Sequence, residues 1–422
     1  MNSESPNPLK PESTPTLNEG VDNWSALLQH SEAELAKTQE QIDEIAYELY
    51  GIEGDDRASI EAMMDTSKSD MDEGDEAETL ITADPATLTS ELLDYCVGVV
   101  FGRWDIRYAT GEKPAPPEPD PFEALPLCAP GMLQNDEGLP AKPEEVDTNY
   151  PIRISWNGIL VEDAAHNEDI FNRTVEALTV MWGEQSGAIQ QEACEMLKVK
   201  KLRDYFAEKK AGGKFFKEHL SRFSKSRRKA PIYWPLSTES GTYTLWFYYH
   251  RLDSDTLYTA VSFIEDKQEE VAKTFADLSA KKSRTKEEDK ELEAAQLLVA
   301  ELPTFRESLL DIAKFWKPNL NDGVQITAAP LWKHFRLKTW QKLLKTTWTK
   351  LEKGEYDWAH LAHSTWPERV IPKCLTDRSL AIAHGHDDAL WEPYTDDRGK
   401  EKWRLKKDAK ETVEQLVKKN QS

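Results

Sequence analysis

Residues 223–250 read FSKSRRKAPIYWPLSTESGTYTLWFYYH, and their later part decides the fold class. PIYWPLST and TYTLWFYYH are short runs rich in aromatic and β-branched residues, the side chains that pack best on a pleated surface. Between them lie Glu239, Ser240 and Gly241, a turn composition. The spacing predicts two strands joined at that turn, the second with Tyr243, Leu245, Phe247 and Tyr249 on one face. Just upstream, four of the five residues 225–229 are basic: Lys225, Arg227, Arg228 and Lys229. Cations followed at once by large rings suit nucleic acid, because ammonium and guanidinium groups hold phosphates and ring faces stack on bases. They equally suit a solvated loop leading into a half-buried strand.

Working outward, the segment 198–222 is basic and expected to be helical, with an interruption at Gly212-Gly213. Ile152–Trp156, IRISW, suggests a strand, and 166–182 and 184–197 read as consecutive helices. Downstream, Leu257, Val261, Ile264, Gln268, Val271, Phe275 and Leu278 repeat at heptad spacing. A polar turn, KKSRTKEED, follows, and then a second long helix to about Phe315, so 254–316 is expected to be an antiparallel helical hairpin. GVQITAAPLW (323–332) suggests a strand and a turn. Short Trp-rich helices and a charged helix from about Lys406 complete the C-terminal region, 317–422.

The N-terminal third has another character. Residues 1–22 lack an apolar period and read as a disordered leader. From Trp24 through Leu28, Ser31, Leu35, Thr38, Ile42, Ile45 and Leu49 a heptad-like stripe marks a helix ending near Gly51. An acidic stretch from Asp65 to Glu78 reads as a link, and a shorter apolar helix covers about Leu88 to Phe101. Residues 111–150 form a Pro-rich acidic linker beginning GEKPAPPEPDP. The regions are therefore 1–22, 23–110, 111–150, 151–253, 254–316 and 317–422, in a chain of α+β class that is mainly α. Helical hairpins would brace a small mixed β recognition module beside an acidic, partly disordered N-terminal region.

Charge follows this division. The whole chain carries a formal −23, but residues 1–150 hold 34 of its 76 acids and only 8 of its 53 bases. Between Lys198 and Lys229 the bases number 13 and the acids 3. A low overall pI therefore does not exclude a polyanionic partner, since steering depends on the local field. Fourteen tryptophans argue for a folded chain. No apolar run approaches a membrane span, and the acidic start has no signal-peptide pattern. Cys96, Cys128, Cys194 and Cys374 are scattered, without zinc spacing. A reduced, cytoplasmic protein is the expectation.

Several long segments carry a resemblance. KVKKLRDYF (198–206), FFKEHLSRFSKSRRKAPIYWPLST (215–238) and WFYYHRLDSDTLY (246–258) resemble the C-terminal half of large adenine-N6 DNA methyltransferases. These are the single-chain enzymes of type IIG restriction–modification and of the BREX and DISARM phage-defence systems. FWKPNLNDGVQITAAPLW (315–332), EYDWAHLAHSTWPERVIPKC (355–374) and TDRSLAIAHG (376–385) look like the closing segment of the same family. IDEIAYELYGI (42–52) and YCVGVVFGRWDIRYATG (95–111) resemble the helical stretch that follows its catalytic domain. The resemblance spans roughly 40–110 and 150–395.

It implies a target-recognition part acting on double-stranded DNA with a catalytic methylase domain or subunit, and with other defence-system proteins. That partner would transfer a methyl group from S-adenosylmethionine to adenine N6. The family's catalytic marks are a Gly-rich turn after the first strand and an Asn/Asp-Pro-Pro-aromatic motif that grips a flipped base. Pro116-Pro117 is followed by Glu118, and Gly212-Gly213 lacks both a preceding apolar strand and GxGxxG spacing. Neither matches, so no Rossmann methylase domain, no bound cofactor and no catalytic residue are expected in this chain.

The DNA-contact set is Lys198, Lys200, Lys201, Arg203, Lys225, Arg227, Arg228 and Lys229, with Tyr233 and Trp234 as the rings nearest the cluster. Arg pairs bidentately with guanine and Lys supplies charge to phosphates. Against this stands a solvated basic surface, and for Tyr233, Trp234, Trp246, Tyr248 and Tyr249 a sheet–helix core. His384, His386, Asp387 and Asp388 suggest either a metal or an exposed turn. Pro119-Asp120 with Glu265-Asp266-Lys267 is a weak nuclease pattern, since a metal-dependent cut needs carboxylates on adjoining strands. A different class of function is an interaction protein of a defence complex, holding a protein partner through its acidic N-terminal region.

Overall fold

The computed structural model describes residues 16–71, 84–115, 122, 124, 126–208, 212–225, 228–353, 355–356, 366–396 and 398–421. They are mainly helical, with small sheets, and divide into two compact units. The first comprises 1–155, 170–205 and 224–228; the second comprises 156–169, 206–223 and 229–422. The expected 151–253 region is thus shared between them. No helix among the described residues is long and apolar enough to cross a membrane.

In the first unit, α1 (Leu17–Tyr50) starts inside the expected leader. Thr16 caps it by accepting from Glu19 N at 3.1 Å, and Glu192 accepts from Leu17 N at 2.8 Å and Asn18 N at 3.2 Å. A carboxylate there satisfies orphan amides and meets the positive end of the helix dipole. Gly51, at φ 62, ends α1 in the left-handed conformation glycine adopts at little cost. Helix α2 (Gly54–Met71) returns, its Arg57 paired with Glu44 and lying over the Tyr47 ring. The acidic link, Asp65 to Glu78, therefore begins as helix; its remainder, 72–78, lies outside the described residues, as do 79–83 and 1–15.

Helix α3 (Pro85–Val100) has Asp84 as N-cap and proline at its first position, both standard helix starts. Leu92, Leu93, Cys96, Val97, Val99 and Val100 are buried. It packs with the helices Ile170–Trp182 and Ser186–Met196, and Tyr205 Oη donates to Ser90 Oγ at 2.8 Å. The expected linker is part of this unit. Leu133 N bonds Arg103 O, Ala141 N bonds Leu133 O and Ser155 N bonds Val100 O, all within 3.1 Å. Buried Cys128, Leu133 and Ala141 explain why it folds back: prolines set its turns while a few apolar residues dock it. IRISW forms no ladder; the strand follows it.

The second unit is built on an antiparallel sheet of order β1-β5-β4: β1 (Ile159–Val161), β4 (Tyr233–Ser237) and β5 (Thr244–Tyr248). Trp234 pairs with Phe247, and Pro235 and Leu160 pair with Trp246. Every residue of these strands is buried, so both faces are covered, and both ladders run antiparallel, so the module is antiparallel rather than mixed. Thr256–Ala280 and Lys286–Ala313 are long helices packed on each other. Tyr243 Oη donates to Phe263 O at 3.1 Å, and Lys267 pairs with Asp163 at 2.8 Å. Glu301 accepts from Ser240 N and Oγ, tying the β4–β5 turn to the second long helix.

GVQITAAPLW is helical, with Val324–Ala328 an α-helix and Ala329–His334 a 3-10 helix. A short apolar run does not distinguish strand from buried helix, and here no strand edge is paired with it. The end of the chain gathers Leu351, Val370, Ile371, Cys374, Leu380, Leu390, Ala409 and Val413 into one cluster. It carries the antiparallel pair β6 (Trp391–Thr395) and β7 (Glu401–Leu405) and the helix Ala409–Gln421.

Candidate nucleic-acid interface

The basic cluster stands between the helix Lys214–Arg222 and β4 as a short ribbon, β2 (Ser224–Lys225) with β3 (Arg228–Lys229). Ala230 N bonds Phe223 O at 2.8 Å, closing its base. Lys225 and Arg228 are exposed and Lys229 is half-buried. Ser226 and Arg227, at the tip, lie outside the described residues.

The start of β4, in the second unit, is held by a buried histidine. His219 Nε2 accepts from Ile232 N at 3.0 Å and Tyr233 N at 3.1 Å. Accepting at Nε2 requires that this nitrogen be unprotonated. The ring also stacks on Tyr233 at 4.8 Å and meets Phe223 at 4.6 Å. Trp234 Nε1 donates to Pro231 O at 2.7 Å, and its ring packs against Tyr249 and Phe335. Tyr233 and Trp234 are both 0 % exposed. That removes them from the DNA-contact set: no ring face is open to a base. Trp246, Tyr248 and Tyr249 are buried as well. The alternation that favoured a core was right, and it extended to both faces.

The upstream cations behave individually. Lys198, Lys200 and Lys201 are exposed. Arg203 is half-buried, donates to Asn172 Oδ1 at 2.9 Å and lies 4.6 Å over the Phe171 ring. It is committed to the packing of the first unit. Lys198 is the sole non-glycine residue with positive φ (53°) among the described residues. It follows the helix Ser186–Met196, where Val199 N bonds Cys194 O at 3.0 Å and Lys198 N bonds Glu195 O at 3.2 Å. This is the double closure normally built on glycine. A lysine there has local merit, its charge facing the carbonyl end of the helix, but it holds a strained backbone. Lys214 and Lys217, exposed on the helix leading to the ribbon, belong to the same basic stretch. Alternation of Lys with buried Phe215, Phe216 and Leu220 at helical spacing was the signal that would have singled them out.

Lys198, Lys200, Lys201, Arg203, Lys225 and Arg228 belong to the first unit, and Lys229, Tyr233 and Trp234 to the second.

Gly212 and Gly213 face packed atoms. A Cβ on Gly212 would come within 2.9 Å of Leu337, and one on Gly213 within 2.7 Å of Glu208 Oε1. Gly213 admits the buried Glu208, whose Oε1 accepts Gly213 N at 2.9 Å while Oε2 has no partner among the described residues. Burial, with Glu162 nearby, pushes this carboxyl up to about 8, against the opposing pull of Gly213 N–H and Arg336. Pro116-Pro117 and Pro119-Asp120 lie outside the described residues. Glu265 and Lys267 are spent on ion pairs with Arg306 and Asp163.

In the HGHDD stretch Arg378 holds Asp387 at 2.9 Å through both carboxylate oxygens. Burial and neighbouring His386 push His384 down to about 4. Among the described residues no three His, Cys, Asp or Glu side chains are grouped to hold a metal. A groove of about 1120 Å³ in the second unit, lined by Glu301, Trp332, Arg336 and Trp348, carries a Ser308 Oγ–His334 Nε2 contact of 2.9 Å. Sequence reading missed this pair, whose members lie 26 residues apart without a motif. Burial, then Arg336 and Lys333, push His334 down to about 3, which makes it a poor base.

No protein-family model, curated protein or solved structure matches the chain.

Proposed function

We propose that this chain is the DNA-binding, target-recognition portion of a site-specific adenine-N6 DNA methyltransferase of a restriction–modification or phage-defence system. It acts with a catalytic methylase part outside this chain, which binds S-adenosylmethionine and transfers the methyl group. The observation that carries the reading is the ribbon: Lys225 and Arg228 are exposed on the short two-stranded pair β2–β3. Cations on a paired ribbon lose less freedom on meeting phosphates than cations on a free loop. The segment resemblance quoted above supplies the class of DNA chemistry.

Replacing Lys225, Arg227, Arg228 and Lys229 by Ala tests the proposal. Each lost phosphate contact removes about 0.9 from the slope of log affinity against log salt. Four such contacts therefore predict a slope shallower by about 3.6 in a fluorescence-anisotropy salt series on duplex DNA. An unchanged affinity and slope in the folded variant returns the ribbon to a solvated surface.

A further inference from the structure

Helix α1 is 34 residues long, yet its tertiary contacts lie at its ends. Its first turn docks on Glu192, and near its C-terminus Tyr47 is buried under Arg57 of α2. From Ser31 to Ile42 every residue is exposed. Leu35 is 74 % exposed, Ile42 54 %, Ile45 64 % and Leu49 76 %. With half-buried Leu28 these residues repeat at seven and at three-plus-four, so they fall within about 100° of one helix face. Tyr47 is two residues from Leu49, roughly 200° away around the helix. The return of α2 therefore covers the opposite side and leaves the apolar stripe bare. A surface helix gains most of its stability from a packed apolar face, and here that face has no partner among the described residues.

Charge selects the partner. Helix α1 carries eight acids and one lysine, Lys37. On the flanks of the stripe stand Glu32, Glu34 and Glu48, with no base at any flanking position. In a coiled coil those flanks set partner choice. A second copy would bring three acids against three acids, offset among the described residues only at Glu34, which Lys37 of the same helix meets at 3.7 Å between two exposed side chains. We infer that the exposed stripe of α1 docks a basic amphipathic helix of another protein. That helix would present leucine or isoleucine at heptad spacing and lysine or arginine on the flanks. This surface is separate from the ribbon, and its test does not involve DNA.

The probes are two synthetic peptides of about four heptads, each with Leu and Ile at the core positions. One carries Lys at the flanking positions and the other Glu. Anisotropy titrations use the full chain, and sedimentation velocity follows the chain alone. The Lys-flanked peptide binds one to one, more weakly as salt rises, and the Glu-flanked peptide does not bind. Leu35→Ser with Ile42→Ser weakens binding by about tenfold or more, without lowering the melting temperature because both side chains are exposed. Glu32→Gln, Glu34→Gln and Glu48→Gln together weaken it and remove its salt dependence. Equal binding of both peptides, no binding of either, or indifference to the serine variant overturns the inference. So does self-association of the chain that the serine variant abolishes, which would make a second copy the occupant.

Discussion

Replacing Lys198 by glycine separates the local from the functional reading of the upstream basic stretch. A non-glycine residue in the left-handed region costs about 1–2 kcal/mol. Glycine would remove that strain, while its extra freedom in the unfolded chain returns about 0.5–1 kcal/mol. The net gain is about 0–1.5 kcal/mol, centred near 0.75, since φ at Lys198 is 53° and the two closing hydrogen bonds involve backbone only. At low salt the lost attraction between the ammonium group and the helix's carbonyl end, about 0.3–1 kcal/mol, offsets much of this. The stabilisation should therefore emerge in high salt, as a rise of a few degrees in melting temperature at about 2–4 °C per kcal/mol. If the lysine stands there to meet a phosphate, the same variant binds duplex DNA more weakly, with a salt slope shallower by about 0.9. A variant that is less stable in high salt refutes the strain argument. One that is more stable and binds DNA unchanged refutes the phosphate contact.

Other outcomes follow from buried groups. Glu208 has a folded pKa raised to about 8 by burial, so its contribution is fully present below the unfolded value and lost as pH rises. Between about pH 4.3 and 8 wild type loses up to ~1.4 kcal/mol of stability per pH unit relative to Glu208→Gln. Denaturant melts at pH 5 and 8 should show that gap widening, and a constant gap would contradict it. Val271 is buried in the first of the two long helices. Val271→Asp should cost roughly 2–4 kcal/mol by placing an unpaired carboxylate there, read as a lower denaturation midpoint; a wild-type midpoint would mean the carboxylate finds water.

What was legible in the sequence followed the length and regularity of its signals. The two strands flanking Glu239–Gly241 and the helices at 256–280 and 286–313 carry periods sustained over many residues. GVQITAAPLW and IRISW are too short to have a period, and tertiary packing decided each of them. WEPYT and EKWRL, expected to be helical beside nearby tryptophans, form the pair β6–β7, and the signal for it is the turn closed by Gly399 N on Asp396 O. The candidate site was legible as charge, but the hold on β4 was not. The bond from His219 to Ile232 N spans 13 residues, and no local pattern announces a histidine used as an acceptor.

The ribbon cations and His219 serve different ends. The outward cations touch solvent, whereas His219 satisfies two backbone amides at the start of β4 that would otherwise be buried without acceptors. Leaving a buried amide unmade costs about 1–3 kcal/mol each, so damage at His219 falls on the fold, and damage at the ribbon cations falls on binding. A substitution at Tyr233 or Trp234 that weakened DNA binding would carry no information about base stacking, because neither ring reaches the surface. Only a loss of affinity at unchanged melting temperature speaks to contact. Lys225 and Arg228 are the described ribbon positions exposed enough to deliver that combination.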